Sequence, residues 1–419
     1  MKIRIRRRAI LSAEEIFFFF ALFFVSSFAF LENVSIPFPL FSNLKMPLLY
    51  AGAVCILMHF VPLFRVRRKR KYFFVILALT LFLVLLEVSA VINRNPFIGS
   101  NPKRATIRLI LYLAELFLLM IWTSETGRSK YVLNFLFYYV FLLTAATDII
   151  IVFLGKTALG VSAAGIYLVG TKFSVAYFHI NLFVLWFMRN RERVYSEKKA
   201  KRIIYIGFPA ILTLSLYVDC MTGVVGCLAL LVLFIMLNTS VRQKVLKLTS
   251  PVLLLLAILG CAIFPFVASG ITAITGIENL LEDVMRRSTT LTGRIHIYQE
   301  FADAMQGHWL WGYGFGNAYS ISMAKYGYAN AQNAIFQWIL QVGIISVSML
   351  VVLLLTIVSR LNCSNMLEKS IPLVLLMYLY IFLGTVETTF SMSFLLWIAL
   401  IFMYSCGSKL ENSEGIRKQ

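Results

Sequence analysis

Arg286, Arg287 and Arg294 stand within one stretch of this chain, residues 269–333. Guanidinium groups grip phosphate oxygens with a planar fork, and a lysine adds a point charge. Lys172, in Gly170-Thr171-Lys172-Phe173-Ser174, is the lysine candidate. If Lys172 and Arg294 converge, they form a site for a phosphate or a diphosphate. The competing reading is solvated charge paired locally with Glu278, Glu282, Asp283, Glu300 and Asp303, with Lys172 snorkelling to the interface. The same stretch holds His308-Trp309-Leu310-Trp311-Gly312-Tyr313-Gly314-Phe315-Gly316. Gly312, Gly314 and Gly316 alternate with Tyr313 and Phe315, which gives a tight turn whose successive N–H groups can face an anion. Its aromatics suit an interfacial plug equally well. His308, Asp303, Asp219 and Glu387 can accept a proton, and spacing does not choose among them. Gln332 and Asn333 can hold sugar hydroxyls.

Other chemistries find no residues. The six cysteines, Cys55, Cys220, Cys227, Cys261, Cys363 and Cys406, form no CxxC pair. The four histidines are scattered, so no clustered zinc set exists and no metal is expected. The 419 residues carry 39 Lys+Arg against 19 Asp+Glu, a net charge of +20. On a soluble protein that balance points to nucleic acid. Here 60% of residues are hydrophobic, only 14% are charged, and the mean hydropathy is +0.83. The cations sit in short runs between long apolar stretches, the pattern of a multi-span membrane protein, so no nucleic-acid partner is expected.

The elements that must position these residues are therefore membrane helices. Twelve apolar stretches are long enough to be candidates: 14–31, 47–64, 72–92, 107–122, 131–153, 174–189, 203–218, 222–238, 250–268, 335–358, 371–387 and 389–405. The last two read as a tight hairpin around Thr388. With the N-terminus inside, 28 of the 39 Lys and Arg residues fall on the cytoplasmic side and 11 outside. That split predicts N- and C-termini in the cytoplasm. The expected fold class is an all-α polytopic membrane protein with about 12 transmembrane helices and one large extracytoplasmic loop between spans 9 and 10. Its parts are an N-terminal membrane bundle of about nine spans (1–268), the outer loop (269–333), three C-terminal spans (334–405) and a cytoplasmic tail (406–419). A loop that long is usually functional. Within it Thr292 can cap a helix whose Arg294, Tyr298, Phe301 and Met305 share one face. In-span polar residues are costly and usually meaningful. Glu87 and Glu115 read as paired with cations or backbone, and His59 and His179 as packing or hydrogen-bonded residues.

A resemblance follows from the order of short motifs in the loop. Thr292-Gly293-Arg294, then Trp311-Gly312-Tyr313-Gly314-Phe315-Gly316, then Ala331-Gln332-Asn333-Ala334, then Gln341-Val342-Gly343-Ile344 entering a span, resembles the O-antigen ligase/polymerase superfamily. The segments Gly170 to Val175 and Asp219-Cys220-Met221-Thr222-Gly223 are similar to Wzy-type capsular polysaccharide polymerases. The resemblance covers about 170–345 by motif and the whole chain by topology. Two departures bear on the branch. Ligases carry His before the Asn at the position of Gln332, and Gln is no base near neutral pH. They also carry an Arg in the turn that here reads Asp219 to Gly223.

The resemblance implies a membrane glycosyltransferase. It would polymerise undecaprenyl-pyrophosphate-linked oligosaccharide repeat units into capsular or surface polysaccharide at the outer leaflet. Arg294 and Lys172, with His308 and Asp219, are the catalytic candidates. Arg286, Arg287, Gly312, Tyr313, Gly314, Gly316, Gln332, Asn333 and Glu387 are the substrate-binding candidates. No cofactor is implied, because the diphosphate ester already activates the sugar and arginine replaces the divalent cation of many soluble transferases. Partners would be the lipid-linked oligosaccharide, the bilayer, and chain-length regulator and flippase proteins. The alternatives are an O-antigen-type ligase using another acceptor and a flippase for the same lipid. A flippase is expected to show internal repeats, and this chain shows one dominant loop instead.

Overall fold

The computed structural model describes residues 13–34, 37–63, 72–94, 101–155, 157–159, 165–196, 198–237, 247–272, 294–364 and 366–406. Among these it is all α. The helices are α1 Ala13–Val34, α2 Lys45–Leu63, α3 Phe73–Ile92, α4 Pro102–Thr126, α5 Ser129–Leu154, α6 Lys172–Ser196 and α7 Lys198–Tyr217. They continue as α8 Met221–Leu237, α9 Pro251–Thr272, α10 Arg294–Ala304, α11 Ala318–Tyr326, α12 Ala334–Asn362, α13 Leu367–Leu383 and α14 Met392–Ser405. Each of the twelve apolar stretches overlaps a helix. Among the described residues seven segments are long and apolar enough to cross a membrane, and the other five are shorter or more polar. The chain is an all-α polytopic membrane protein.

Local signals set the ends. Asn101 caps α4, its side chain accepting from Arg104 N at 3.0 Å, with Pro102 in the first helical turn. Gly127, at φ 69°, closes the same helix. The connection between α13 and α14 is longer than a tight hairpin around Thr388. α13 stops at Leu383, and residues 384–391 form an irregular strap before α14. The strap is pinned: Thr389 Oγ1 donates to Tyr380 O at 2.6 Å, and Trp338 Nε1 donates to Phe390 O at 2.9 Å.

Packing is organised around α14. Every residue from Ser393 to Ser405 is buried. A helix apolar all round belongs in the interior, and α14 packs against α1, α4, α12 and α13. At 14 residues it rises only about 21 Å, too short to span hydrocarbon alone. Conversely α2, α3, α5 and α9 carry large exposed side chains such as Leu57, Phe74, Phe153 and Phe266, the expected lipid-facing belt.

Two in-span acids differ in their surroundings. Asp148 meets His179 Nε2 at 3.1 Å, while His179 Nδ1 lies 2.8 Å from Val175 O. Glu115 departs from the expectation of a paired group. It is 4% exposed, and neither carboxyl oxygen has a hydrogen-bond partner among the described residues. Gly52 of α2 makes room for it, since a Cβ there would lie 2.6 Å from Glu115 Oε2.

Candidate active site

The site begins at the head of α12. Asn333 is the N-cap; its Oδ1 accepts from Ile335 N and Phe336 N, both at 3.0 Å. Its Nδ2 donates to Cys261 O on α9 at 3.0 Å and to Thr385 O in the strap at 3.1 Å. A fully buried side chain with four hydrogen bonds thus ties α9, α12 and the strap together. Asn333→Ala leaves the Cys261 carbonyl and two amides short of partners, while Thr385 O keeps only Tyr298 Oη. It should cost about 2–4 kcal/mol, read as a lower detergent-solubilised melting temperature.

Gln332, just before this cap, sits at φ 51°, the left-handed region that a non-glycine residue rarely adopts. Its backbone carbonyl accepts from Tyr298 Oη at 2.9 Å, and the same hydroxyl reaches Thr385 O at 3.2 Å. Burial holds the Tyr298 hydroxyl well above the ordinary tyrosine range, so it remains a donor. Tyr298 projects from α10, whose inner face is Ile297, Tyr298, Phe301 and Ala304, with Met305 just beyond. Phe301 stacks on Phe336 of α12 at 3.9 Å between ring centres, which fixes α10 against the head of α12.

Arg294, the first residue of α10, is thereby aimed at the strap. Its Nε donates to Gln332 Oε1 at 3.1 Å, and one Nη2–H donates to Glu387 Oε1 in a short ion pair. Glu387 is 6% exposed and also accepts from Thr222 Oγ1, at the start of α8, at 3.5 Å. Tyr177 of α6 lies within electrostatic range of both Glu387 and Arg294. A guanidinium has five N–H donors. Two of Arg294's are engaged, so three have no partner among the described residues. The arrangement is a half-buried cation, oriented by a carboxylate and an amide, with donors to spare for an oxyanion.

The glycine turn has a different role from an anion cradle. α12 is broken at Gly343, which has φ 75° and ψ 170°. The turn after α10 fills the break. Tyr313 N donates to Leu340 O at 2.9 Å, and Ile344 N donates to Trp309 O at 2.9 Å. Gly312 N donates to His308 O at 2.7 Å, and Gly316 N donates to Gln341 Oε1 at 3.2 Å. Three of the turn's amides are therefore spent inside the fold. The glycines are needed for proximity: a Cβ at Gly312 would lie 2.6 Å from Gln341 C, and one at Gly314 would lie 2.8 Å from Pro102 Cβ. Ser89 Oγ of α3 donates to Trp311 O at 2.6 Å and secures the other side.

Residues 210–351 match the family model described as O-antigen ligase. The match covers about a third of the chain and supports a relationship to the O-antigen ligase/polymerase superfamily. No curated protein matches it, and no solved structure does. The family's activity class is glycan ligation or polymerisation in the membrane. The superfamily match includes Asp219, Arg294, the glycine turn, Gln332, Asn333 and Gly343. Glu387, the partner of Arg294, lies beyond it, as does Lys172.

The remaining candidates have local contacts of their own. Lys172 opens α6 and lies 5.9 Å from the Phe173 ring. His308 stacks on Tyr313 at 3.8 Å, and its Nδ1 is 3.3 Å from Gly312 O, so its contacts are those of the turn. Tyr313 Oη donates to Ala304 O, closing the turn onto α10. Asp219 is exposed at φ 55° in the turn between α7 and α8. Arg286, Arg287 and the Thr292 cap lie outside the described residues. Sequence reasoning missed Tyr298 as a brace for Gln332 and Thr222 as a second donor to Glu387. Thr222 was legible only as part of the Asp219 to Gly223 turn. Among the described residues no group of three His, Cys, Asp or Glu could hold a metal.

Proposed function

We propose that this protein polymerises undecaprenyl-pyrophosphate-linked oligosaccharide repeat units into a capsular or surface polysaccharide at the outer leaflet, with both termini in the cytoplasm. The observation that carries the reading is Arg294, held between Glu387 and Gln332 with three N–H donors that have no partner among the described residues. These donors suit the growing charge on a leaving lipid diphosphate. The acceptor hydroxyl oxygen attacks the anomeric carbon of the donor. The bond from that carbon to the phosphate oxygen breaks, and lipid diphosphate leaves with the electron pair. The hydroxyl proton passes to Glu387 and then to water. As the diphosphate draws on Arg294, the carboxylate loses part of its partner and becomes the better base. Gln332 at the position where ligases carry His supports a base elsewhere, and Glu387 is the buried carboxylate in reach of the arginine. We assign Arg286, Arg287 and Lys172 to the outer approach to this site, and the chain's other partners to chain-length regulators and flippases.

The test is reconstitution in vesicles with one lipid-linked repeat unit. A polymerase gives a ladder of repeats and releases one lipid diphosphate per new bond. Glu387→Gln should reduce the rate about 10²-fold with the protein still in the membrane; an unchanged rate removes Glu387 as base. The family model's own description favours a second reading, a ligase. It is distinguished by the product, which would carry a different acceptor at its reducing end and no ladder from repeats alone.

A further inference from the structure

The head of α4 carries an unbalanced set of positive charges. Lys103 and Arg104 occupy its first turn, which contains no acidic residue. That is the positive end of a 25-residue helix, where anions are favoured and cations are not. Arg108 follows one turn below Arg104 on the same face, close enough to feel its charge. Among the described residues its Nε is buried without a hydrogen-bond partner, and no carboxylate pairs with Lys103, Arg104 or Arg108. Three cations and a helix dipole therefore repel one another with nothing in the described chain to offset them.

A cavity of about 420 Å³ opens beside them, lined by Met46, Tyr50, Asn101, Lys103, Arg104 and Ile107. Two of its six lining residues are cationic, Asn101 adds a neutral amide, and Met46, Tyr50 and Ile107 are largely apolar. Below it α2 and α4 offer an exposed apolar surface, with Tyr50 55%, Val54 58%, Leu57 53% and Ile107 37% exposed. The cavity sits beside the glycine turn, because Gly314 touches Pro102 and Gly316 touches Ala105. It shares no residue with the Arg294 cluster.

We propose that this cavity is a second binding site, for a lipid with a diphosphate headgroup. The headgroup lies on Lys103, Arg104 and the first-turn amides of α4, with Arg108 as the deeper rung, and the hydrocarbon tail follows α2. The cations span about 7.5 Å along the helix, so a doubly charged diphosphate can engage more of them at once than a single phosphate can. The assignment of this lipid as the acceptor repeat rests on the polymerase reading above; the binding itself does not.

Native mass spectrometry of the full-length protein in detergent tests it, with geranylgeranyl diphosphate as probe and phosphatidylglycerol as the singly charged comparison. The wild type should bind two equivalents of the diphosphate, and Arg104→Gln/Arg108→Gln one, with the affected site weakened about 10-fold or more. Arg294→Ala should remove the other equivalent. Undiminished binding in the double variant overturns the proposal, as does equal competition by phosphatidylglycerol. Lys103→Gln changes only an exposed side chain and should weaken the same site if the double variant fails to insert; unchanged binding there also overturns it. Loss of an equivalent in the α4 variant but none in Arg294→Ala leaves this site standing and removes the Arg294 role instead.

Discussion

Arg294→Ala is expected to lower glycan transfer about 10²–10³-fold, measured as polymer formed per protein in the membrane. Arg294→Lys should recover only part of it. A lysine can supply charge, but it cannot donate to Gln332 and Glu387 while keeping a planar pair of donors for phosphate. The alanine variant has a second consequence. It strands the carboxylate of Glu387, 6% exposed, without its cation. Breaking a buried pair from one side costs about 3–5 kcal/mol. Adding Glu387→Gln to Arg294→Ala should restore much of the lost thermal stability and none of the transfer. That split separates chemistry from folding. Full transfer by Arg294→Ala, or stability and transfer returning together in the double variant, would remove the arginine from the mechanism.

Gly343→Ala is expected to have the largest effect on the fold. A Cβ at this position would sit 2.1 Å from Leu310 O and 2.4 Å from Trp311 N, and both are backbone atoms that cannot swing aside. The φ of 75° adds strain for any residue with a Cβ. The turn would have to leave the break in α12, freeing the amide of Ile344 and the carbonyl of Leu340. Unsatisfied backbone groups at membrane depth cost several kcal/mol each, so the variant should fail to accumulate or become protease-sensitive in the turn. Gly260→Ala in α9 is the control: nothing lies within 4 Å of its added methyl. Normal accumulation of both variants would show that the break is not held by this contact.

The membrane helices were legible because hydrocarbon selects for long apolar runs, and a run shows in one dimension. The helical face of Tyr298, Phe301 and Met305 was legible for the same reason, since 3.6-residue periodicity is a local property. The ion pair was not. Arg294 and Glu387 are 93 positions apart, and only the route of the strap brings them together. The glycine turn was read as a place for an anion because alternating glycines leave N–H groups bare. Its partner is another part of the chain, a helix interrupted at Gly343, and nothing in a continuous apolar run from 335 to 358 announces an interruption. Asn333 was read as a hand for sugars, whereas the fold uses it as a cap and a brace. Glu115 shows the opposite failure: an acid expected to find a partner has none among the described residues.

The burial of α14 on every side also orders the birth of the molecule. Its neighbours α1, α4 and α12 leave the ribosome before it does. Until residues 392–405 emerge, those helices must wait in the bilayer around an unfilled axis, held by lipid or by the insertion machinery. The keystone of this structure is thus laid after the walls, and a nascent chain halted before it would have its helices but no centre.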